Sequence, residues 1–203
     1  LGFGAGNYNE AMMERIADVG NGNYAYIDSA MEARKVLGEE LSATLVTIAK
    51  DVKVQVEFNP RVVSQYRLIG YENRALRDED FTNDAVDAGD IGAGHQVTAL
   101  YEIVPAGSQG WTPERRYAEN RSVARSSGGS EAAYVKLRYK LPDGDTSREI
   151  ARAIPAALRA ARAPTGDMAF AIAVAAFGQK LRGDTYLGRY GFADIRALAG
   201  RPD

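Results

Sequence analysis

The hydrophobic pattern of this chain changes its period near residue 50, and this change limits the folds open to it. Before that point, apolar residues recur every three or four positions, as they do on one face of a helix. After it, in DVKVQVEF, valines alternate with charged and amide residues, which is typical of a half-buried strand. The sequence therefore predicts an α/β segment over residues 1–49, followed by a second domain over residues 50–203. The expected class is α+β, with an antiparallel β-sandwich-like sheet and C-terminal helices.

The first predicted helix has an apolar face and little to bury it against. Asn7 or Asn9 supplies its N-cap, because a short amide side chain accepts a hydrogen bond from the first turn. Met12, Met13 and Ile16 form the apolar face. The segment is too short to cover this face, so we expect exposed apolar surface there, or an oligomer formed through it. The chain also opens on LGFGAGN, which resembles a strand end and suggests a fragment of a longer polypeptide.

The rest of the first segment is expected to continue the alternation of strand and helix. Residues 24–27 are predicted to be a short strand. Asp28 or Ser29 is predicted to begin a long helix that reaches about Ile48, since apolar residues keep helical spacing over this range. Gly38 weakens such a helix only modestly.

The second domain is predicted to contain several strands and two helices. In the first strand, DVKVQVEF, the alternation predicts that the valines face inward and that Lys53 faces outward. A glycine-rich turn then precedes a strand at 96–104 with Val97 on its apolar side. Residues 147–154 are ambiguous between strand and helix, and we favour a strand followed by a short helix after Pro155. The other predicted elements are strands at 62–69 and 132–141, a buried helix at 167–181, and an amphipathic helix at 191–199 with Phe192, Ile195, Leu198 and Ala199 inward.

Composition narrows the function classes. A net charge of −2 argues against nucleic acid as the main partner, because phosphate binding usually concentrates positive charge. The chain has no cysteine, which excludes disulfides, thiolate metal sites and a cysteine nucleophile. Its apolar runs are shorter than the ~20 residues that span a bilayer.

Several stretches carry a resemblance to a known family. GFGAGNYNEAMMERIADVGNGNYAYID resembles the closing strand–helix–strand segment of a von Willebrand factor type A domain. TLVTIAKDVKVQVEFNP, YRLIGYENR, DFTNDAVDAGDIGAGHQVTALYEI, YVKLRYK and FAIAVAAFGQKLR resemble the C-terminal region of bacterial YfbK-like proteins. In those proteins a type A domain precedes a domain of unknown function.

The resemblance implies a cell-envelope protein, on the periplasmic side, with a type A domain upstream. Such domains often bind Mg²⁺ through a D-x-S-x-S loop and further oxygen ligands. This chain has no such loop, so Mg²⁺ is expected only in the upstream domain and no cofactor is expected here.

The single histidine is the first candidate for chemistry. His95 follows Asp87 and Asp90 in sequence, and a histidine beside carboxylates suits metal binding or acid–base work. The favoured interpretation is structural, with the aspartates forming turns through bonds to the backbone. The acidic residues from Glu72 to Asp90 do not follow the spacing of a Ca²⁺ loop either.

A basic loop is the second candidate. Arg115, Arg116, Arg121 and Arg125 lie in a segment rich in glycine and serine, which is predicted to be a long loop. They suit contact with an acidic protein or with phospholipid head groups, although a solvated surface is favoured. GFGAGN lacks the spacing of a phosphate loop, and the serines lack a G-x-S-x-G elbow.

These observations favour a non-enzymatic binding or scaffold region that makes protein–protein contacts. The alternative is a tail that regulates the upstream metal site from within the same chain. An uncharacterised hydrolase is the least favoured hypothesis.

Overall fold

The structure is a computed structural model, and it describes residues 9–20, 22, 24–39, 41, 45–70, 76–112, 131–157 and 163–201. The chain is an α+β protein with C-terminal helices, as predicted. The described helices are α1 (Glu10–Val19), α2 (Ala30–Arg34), α3 (Gly166–Leu181) and α4 (Phe192–Ala199). The described strands are β1 (Thr47–Phe58), β2 (Val63–Leu68), β3 (Gly89–Gly92), β4 (Tyr101–Pro105), β5 (Glu131–Lys140) and β6 (Ser147–Pro155).

The strands form two sheets. A four-stranded sheet has the order β3-β1-β5-β6, and β2 pairs with β4 in a second sheet. The β1–β3 ladder is antiparallel, with Thr47 opposite Gly92 and Val52 opposite Gly89. The β2–β4 ladder is also antiparallel and ends at the pair Leu68 and Tyr101. The predicted sheet of at least four strands is present, whereas a sandwich arrangement stays a prediction.

The chain divides into two compact units, each assembled from separate stretches of sequence. Unit 1 comprises residues 1–55, 76–96 and 137–150, and unit 2 comprises 56–75, 97–136 and 151–203. The domain division at residue 50 that the sequence predicts stays a prediction.

The helical core of unit 2 is built largely from alanine. Small side chains on α3 let it pack closely against α4, where Ile195 and Leu198 fill the contact. This buried cluster contains Ala169, Ala173, Ala176, Ile195 and Leu198, with Ile172, Leu187 and Tyr190 packed against it.

The first two helices begin where the sequence indicates. Asn9 caps α1, since its Oδ1 accepts a hydrogen bond from the N–H of Met12 at 3.1 Å. Ser29 caps α2 in the same way through the N–H of Glu32 at 3.2 Å. Met12 and Ile16 lie exposed on α1, as expected for a face that the segment cannot cover. The predicted strand end at residues 1–4 lies outside the described residues.

One prediction for the N-terminal segment is wrong, and another is wrong only at its end. Residues 24–28 form no strand. The helix predicted to reach Ile48 begins as α2, continues as a π-helical turn at Lys35–Glu39 and is helical again at Leu41 and Leu45, but it stops short of Ile48 because β1 begins at Thr47. The pairing of Thr47 with β3 decides this, since strand pairing overrides a helical pattern in the local sequence.

The predicted faces of β1 are wrong at two positions. Lys53 is 2% exposed, whereas the neighbouring Val54 is 58% exposed. At the end of the strand, Glu57 is exposed and Val56 and Phe58 are half-buried, as predicted. The β1–β3 register shifts twice, between Thr47 and Ala49 and between Ala49 and Val52. At the second shift, two residues of β1 stand against one of β3. Such a bulge changes the phase of the inward and outward positions, which sequence alternation alone does not reveal.

The strand predicted at 96–104 begins only at Tyr101, and Val97 is 74% exposed. Its partner strand β2 stops at Leu68, and one further bond, from Ile69 N–H to Leu100 O at 2.8 Å, closes the ladder. Residues 95–100 therefore form no strand, in spite of their alternating pattern. The strand preferred for 147–154 is confirmed as β6.

The C-terminal helices have the predicted positions but not the predicted burial. Helix α3 was expected to be buried on most sides, yet only its alanine-rich side and Gln179 are buried. Phe192 and Ala199, expected inward on α4, are exposed. A helix that is apolar all round normally lies inside a protein. On α3, Ile172 packs against the buried cluster, whereas Phe170, Val174, Phe177 and Leu181 face outward.

Candidate functional site

In unit 1 an aspartate lies at the bulge of β1 and joins three segments of the chain. Asp51 has a φ of 50°, a left-handed conformation that aspartate tolerates better than most residues. Its carboxylate accepts hydrogen bonds from Lys140 Nζ at 2.7 Å and from the N–H of Ala88 at 3.2 Å. Its own N–H donates to Asp90 Oδ1 at 3.3 Å. The bulge is thus held in place by polar contacts.

Asp51 and Asp87 share this cluster, and their carboxyl groups are shifted in opposite directions. Burial disfavours the charge on Asp51, but hydrogen bonds from Lys140 and Ala88 outweigh it, so its pKa is lowered. The pKa of Asp87 is raised by loss of hydration, by its hydrogen bond to Asp51 and by the charges of Asp51 and Asp90. Two neighbouring carboxyl groups with diverging pKa values are the pattern expected when one carries the charge and the other holds a proton more readily.

Asp84 forms a second ion pair in unit 1. Arg138 Nη2 lies 2.9 Å from Asp84 Oδ1, and the hydroxyl of Ser147 donates to the same oxygen. The hydrogen bond from Ser147 and then that from Arg138 lower the pKa of Asp84. Lys140, bound to Asp51, also donates to the backbone oxygen of Asp84 at 2.9 Å. The loop that carries Asp84 therefore contacts both β5 and β6 through hydrogen bonds and ion pairs.

Lys53 is the charged side chain that is buried among the described residues of unit 1. Its Nζ donates to the backbone oxygens of Asn83 and of Asp80, the latter at 3.2 Å. Asp80 ends a short 3₁₀ helix, Asp78–Asp80, and the carbonyls at a helix end carry partial negative charge. Lys53 thus serves as an internal cap for the loop that follows.

The sequence favours a structural role for His95, Asp87 and Asp90 over a metal site. Asp87 and Asp90 gather around Asp51, whereas His95 is exposed in the turn after β3, where its N–H donates to Gly92 O at 3.1 Å. Among the described residues, no group of three or more His, Cys, Asp or Glu side chains is arranged to hold a metal ion. Arg115, Arg116, Arg121 and Arg125 lie outside the described residues.

In unit 2 an arginine joins β2 to the region after α3. Arg67 pairs with Glu102 on β4 and with Asp184, whose Oδ2 lies 2.9 Å from its Nη1. Its guanidinium carbon lies 4.0 Å from the ring centroid of Tyr186 and 5.8 Å from that of Trp111. The hydrogen bond from the N–H of Tyr186, and then that from Arg67, hold the pKa of Asp184 low. The planar guanidinium of Arg67 stacks on an aromatic ring and binds two carboxylates at the same time. We call this arrangement the Arg67 clamp, and lysine would not reproduce it.

A shallow apolar hollow of about 330 Å³ lies in the same unit. Its lining offers one charged side chain, that of Arg61. Binding and catalytic sites usually combine an apolar pocket with several convergent polar groups. The hollow does not have that combination, so it suggests no reaction.

A stripe of exposed apolar side chains runs along α3 in unit 2. We call it the α3 seam. It consists of Phe170, Val174, Phe177 and Leu181, which are 58%, 53%, 45% and 67% exposed. At 100° per residue these four side chains fall within about 60° of one another around the helix. The ring of Phe177 lies 6.0 Å, centroid to centroid, from that of Phe192, which is itself exposed. The seam and Phe192 therefore form one surface.

Comparison with known proteins identifies the family. Residues 43–202 match the family model described as "Uncharacterized protein YfbK, C-terminal". The chain belongs to this family. It is also 50% identical over 199 residues to the "Uncharacterized protein YfbK" of Escherichia coli (strain K12). That alignment covers 98% of this chain and 34% of the relative, so the chain spans about a third of the length of the curated protein it matches. No solved structure matches the chain.

The sequence motifs resemble the YfbK C-terminal family, and the comparison confirms this resemblance. None of the described helices is long and apolar enough to cross a membrane. The sequence motifs did not identify the Arg67 clamp, because its partners are separated from it by 35 and 117 positions. The sequence predicts α3 as a buried helix and does not single out the seam.

Proposed function

We propose that this region is a non-catalytic protein-binding module and that the α3 seam is its contact surface. The observation that carries the proposal is the outward position of Phe170, Phe177 and Leu181 while small alanines occupy the buried side. Solvent exposure of large apolar side chains is unfavourable by ~25 cal/mol per Å², so a covered state is favoured over an open one.

The size of the surface supports the same proposal. From the exposed fractions, the seam and Phe192 present on the order of 500 Å² of apolar surface. Contiguous apolar patches of several hundred Å² often mark interaction sites on monomeric proteins. Aromatic side chains are also enriched in interfaces, where they contribute much of the binding energy. The proposal includes a position at the cell envelope and an upstream type A domain that holds Mg²⁺, both on the basis of the family resemblance.

Site-specific photo-crosslinking in the native cell tests the proposal. A photoreactive residue at Phe177 is expected to give adducts between this protein and another protein molecule. The same residue at Met168, which is exposed on the same helix about 160° from the seam, is the matched control and is expected to give few.

A Phe177→Lys variant is expected to lose the adducts formed from position 181 while its free energy of unfolding changes by less than about 1 kcal/mol, since Phe177 is half exposed. Equal crosslinking from positions 168 and 177 would contradict the proposal. Crosslinks confined to a single chain would contradict it too, and would favour the alternative of an intramolecular regulatory tail.

A further inference from the structure

We propose that the partner of the α3 seam is the α3 seam of a second copy of this chain. The two helices would pack antiparallel about a two-fold axis that passes between residues 175 and 176. This inference rests on the proposed function, in which the seam is a protein-binding surface, and it names the partner.

The spacing of the seam is the first argument. Phe170, Val174, Phe177 and Leu181 are separated by four, three and four positions. This is the spacing of the buried positions in a pair of supercoiled helices. It suits a helical partner rather than an extended peptide, which reads every second position.

The symmetry of that spacing is the second argument. Four-three-four is the same in either direction along the helix, so a two-fold axis at its midpoint maps the seam onto itself. Phe170 then lies opposite the partner's Leu181, and Val174 lies opposite the partner's Phe177. Each layer combines one aromatic with one aliphatic side chain, so large and smaller residues alternate across the contact, as good packing requires. A surface that is complementary to itself is the requirement of a two-fold dimer.

The residues beside the seam allow close approach. Ala171, Ala175 and Gly178 lie on the flank of the seam that is turned away from the buried alanine side. A methyl group added at Gly178 would meet no atom within 4 Å, so this flank is open. Small side chains let two helix axes approach to the lower end of the usual range of about 8–10 Å.

Charge complementarity selects the antiparallel direction. Asp167 lies in the first turn of α3 and Arg182 lies at its C-cap, and both are exposed. An antiparallel pair brings Asp167 of one copy to within about one helical turn of Arg182 of the partner subunit, at both ends of the contact. A parallel pair would place like charges side by side. Antiparallel helix dipoles also attract each other weakly.

The area fits a reversible dimer. Two copies of the seam, each with its Phe192, together present on the order of 1,000 Å² of apolar surface, which is the lower limit of specific protein interfaces. We therefore expect association in the micromolar range rather than an obligate dimer.

Sedimentation velocity of the 203-residue chain over a concentration series is the test. The expected result is a reversible shift from 21.9 kDa to twice that mass. Val174→Lys is expected to raise the dissociation constant at least tenfold, and Phe177→Gln, a milder change, is expected to raise it less. Met168→Lys, which adds the same charge to the same helix away from the seam, is the control and leaves it unchanged. Circular dichroism checks that each variant keeps its helices.

A charge swap tests the direction of the pair. Asp167→Arg and Arg182→Asp alone are each expected to weaken the dimer, and the double variant is expected to restore it, with all three effects shrinking at high salt. A chain that stays monomeric at millimolar concentration would overturn the inference, as would a dimer insensitive to Val174→Lys. Failure of the double variant to restore association would overturn the antiparallel arrangement. If the chain is monomeric but position 177 still crosslinks to a different protein, the inference fails while the proposed function stands.

Discussion

Strand β1 and helix α3 both invert the usual distribution of side chains, and they do so for different reasons. On β1, the charged Lys53 is buried and the apolar Val54 is exposed. On α3, alanines are buried while Phe170 and Phe177 are exposed. In β1 the inversion is compensated within the chain, because Lys53 binds two backbone carbonyls. On α3 the described residues offer no such compensation for the seam.

The difference shows how to separate a folding requirement from a binding surface. A buried polar group that is fully hydrogen-bonded stabilises its own surroundings, and its removal should unfold them. An exposed apolar group contributes little to its own fold, and its removal should be tolerated. Measurements of the free energy of unfolding for variants in each region therefore test whether the two cases differ.

The largest effect is expected at Lys53. Lys53→Ala removes a charged donor from two carbonyl oxygens and leaves a cavity, so we expect a loss of about 2–4 kcal/mol in the free energy of unfolding. Lys53→Met keeps most of the packing and should lose less. The measurement is chemical denaturation at pH 7, with Val54→Lys as the control on the adjacent exposed position, where the change should stay within about 0.5 kcal/mol. An equal loss of unfolding free energy in the control would show that the burial of Lys53 is not the cause of the effect.

A smaller effect is expected on the buried side of α3. Ala173 is 2% exposed and packs in the cluster with Ile195 and Leu198, so Ala173→Leu should overpack the contact and destabilise it by about 1–3 kcal/mol. The seam variant Val174→Lys, one position along, should unfold at nearly the same denaturant concentration as the unaltered chain. Loss of stability from Val174→Lys equal to that from Ala173→Leu would mean that the seam belongs to the core after all.

The smallest effect, and the one with a pH signature, is expected at Asp87. Because its pKa is raised in the folded state, the folded state is favoured when Asp87 is protonated, and this contribution is lost as the pH rises through the folded pKa. Asp87→Asn mimics the protonated form, so it should stabilise the protein at pH 7 by a few tenths of a kcal/mol, reduced by solvent screening.

The gain from Asp87→Asn should vanish below the ordinary aspartate value of 3.8, where the carboxyl group is neutral in both states. Thermal unfolding at pH 7 and at pH 3 measures this difference. A gain of the same size at both pH values would remove carboxyl repulsion as its cause.

Much of the secondary structure was predictable from the sequence because its signals are local. The caps at Asn9 and Ser29, the strand β5 and the extent of α3 follow from side-chain chemistry and periodicity within a few residues. The predicted element bounds were wrong where pairing with another strand determines where a strand begins or ends. Residues 96–100 alternate like a strand but lie beyond the end of β2, and the helical pattern before Thr47 gives way to pairing with β3.

The helix that carries the candidate surface was predictable, but its exposed side was not. Helix α3 is apolar on most sides, so its sequence does not state which side the rest of the protein covers. The clamp at Arg67 was not predictable, since an ion pair to Asp184 across 117 positions leaves no local trace.

The family, the mixed class, the caps and the two C-terminal helices follow from local sequence, because propensity, periodicity and motif identity act over short distances along the chain. The inward position of Lys53 on β1 and the outward position of the aromatic side of α3 depend on packing between distant parts of the chain. The physical reason is that burial depends on what lies across from a residue: a one-residue bulge exchanges the faces of a strand, and compact alanines give α4 a closer contact with α3 than the larger seam residues would.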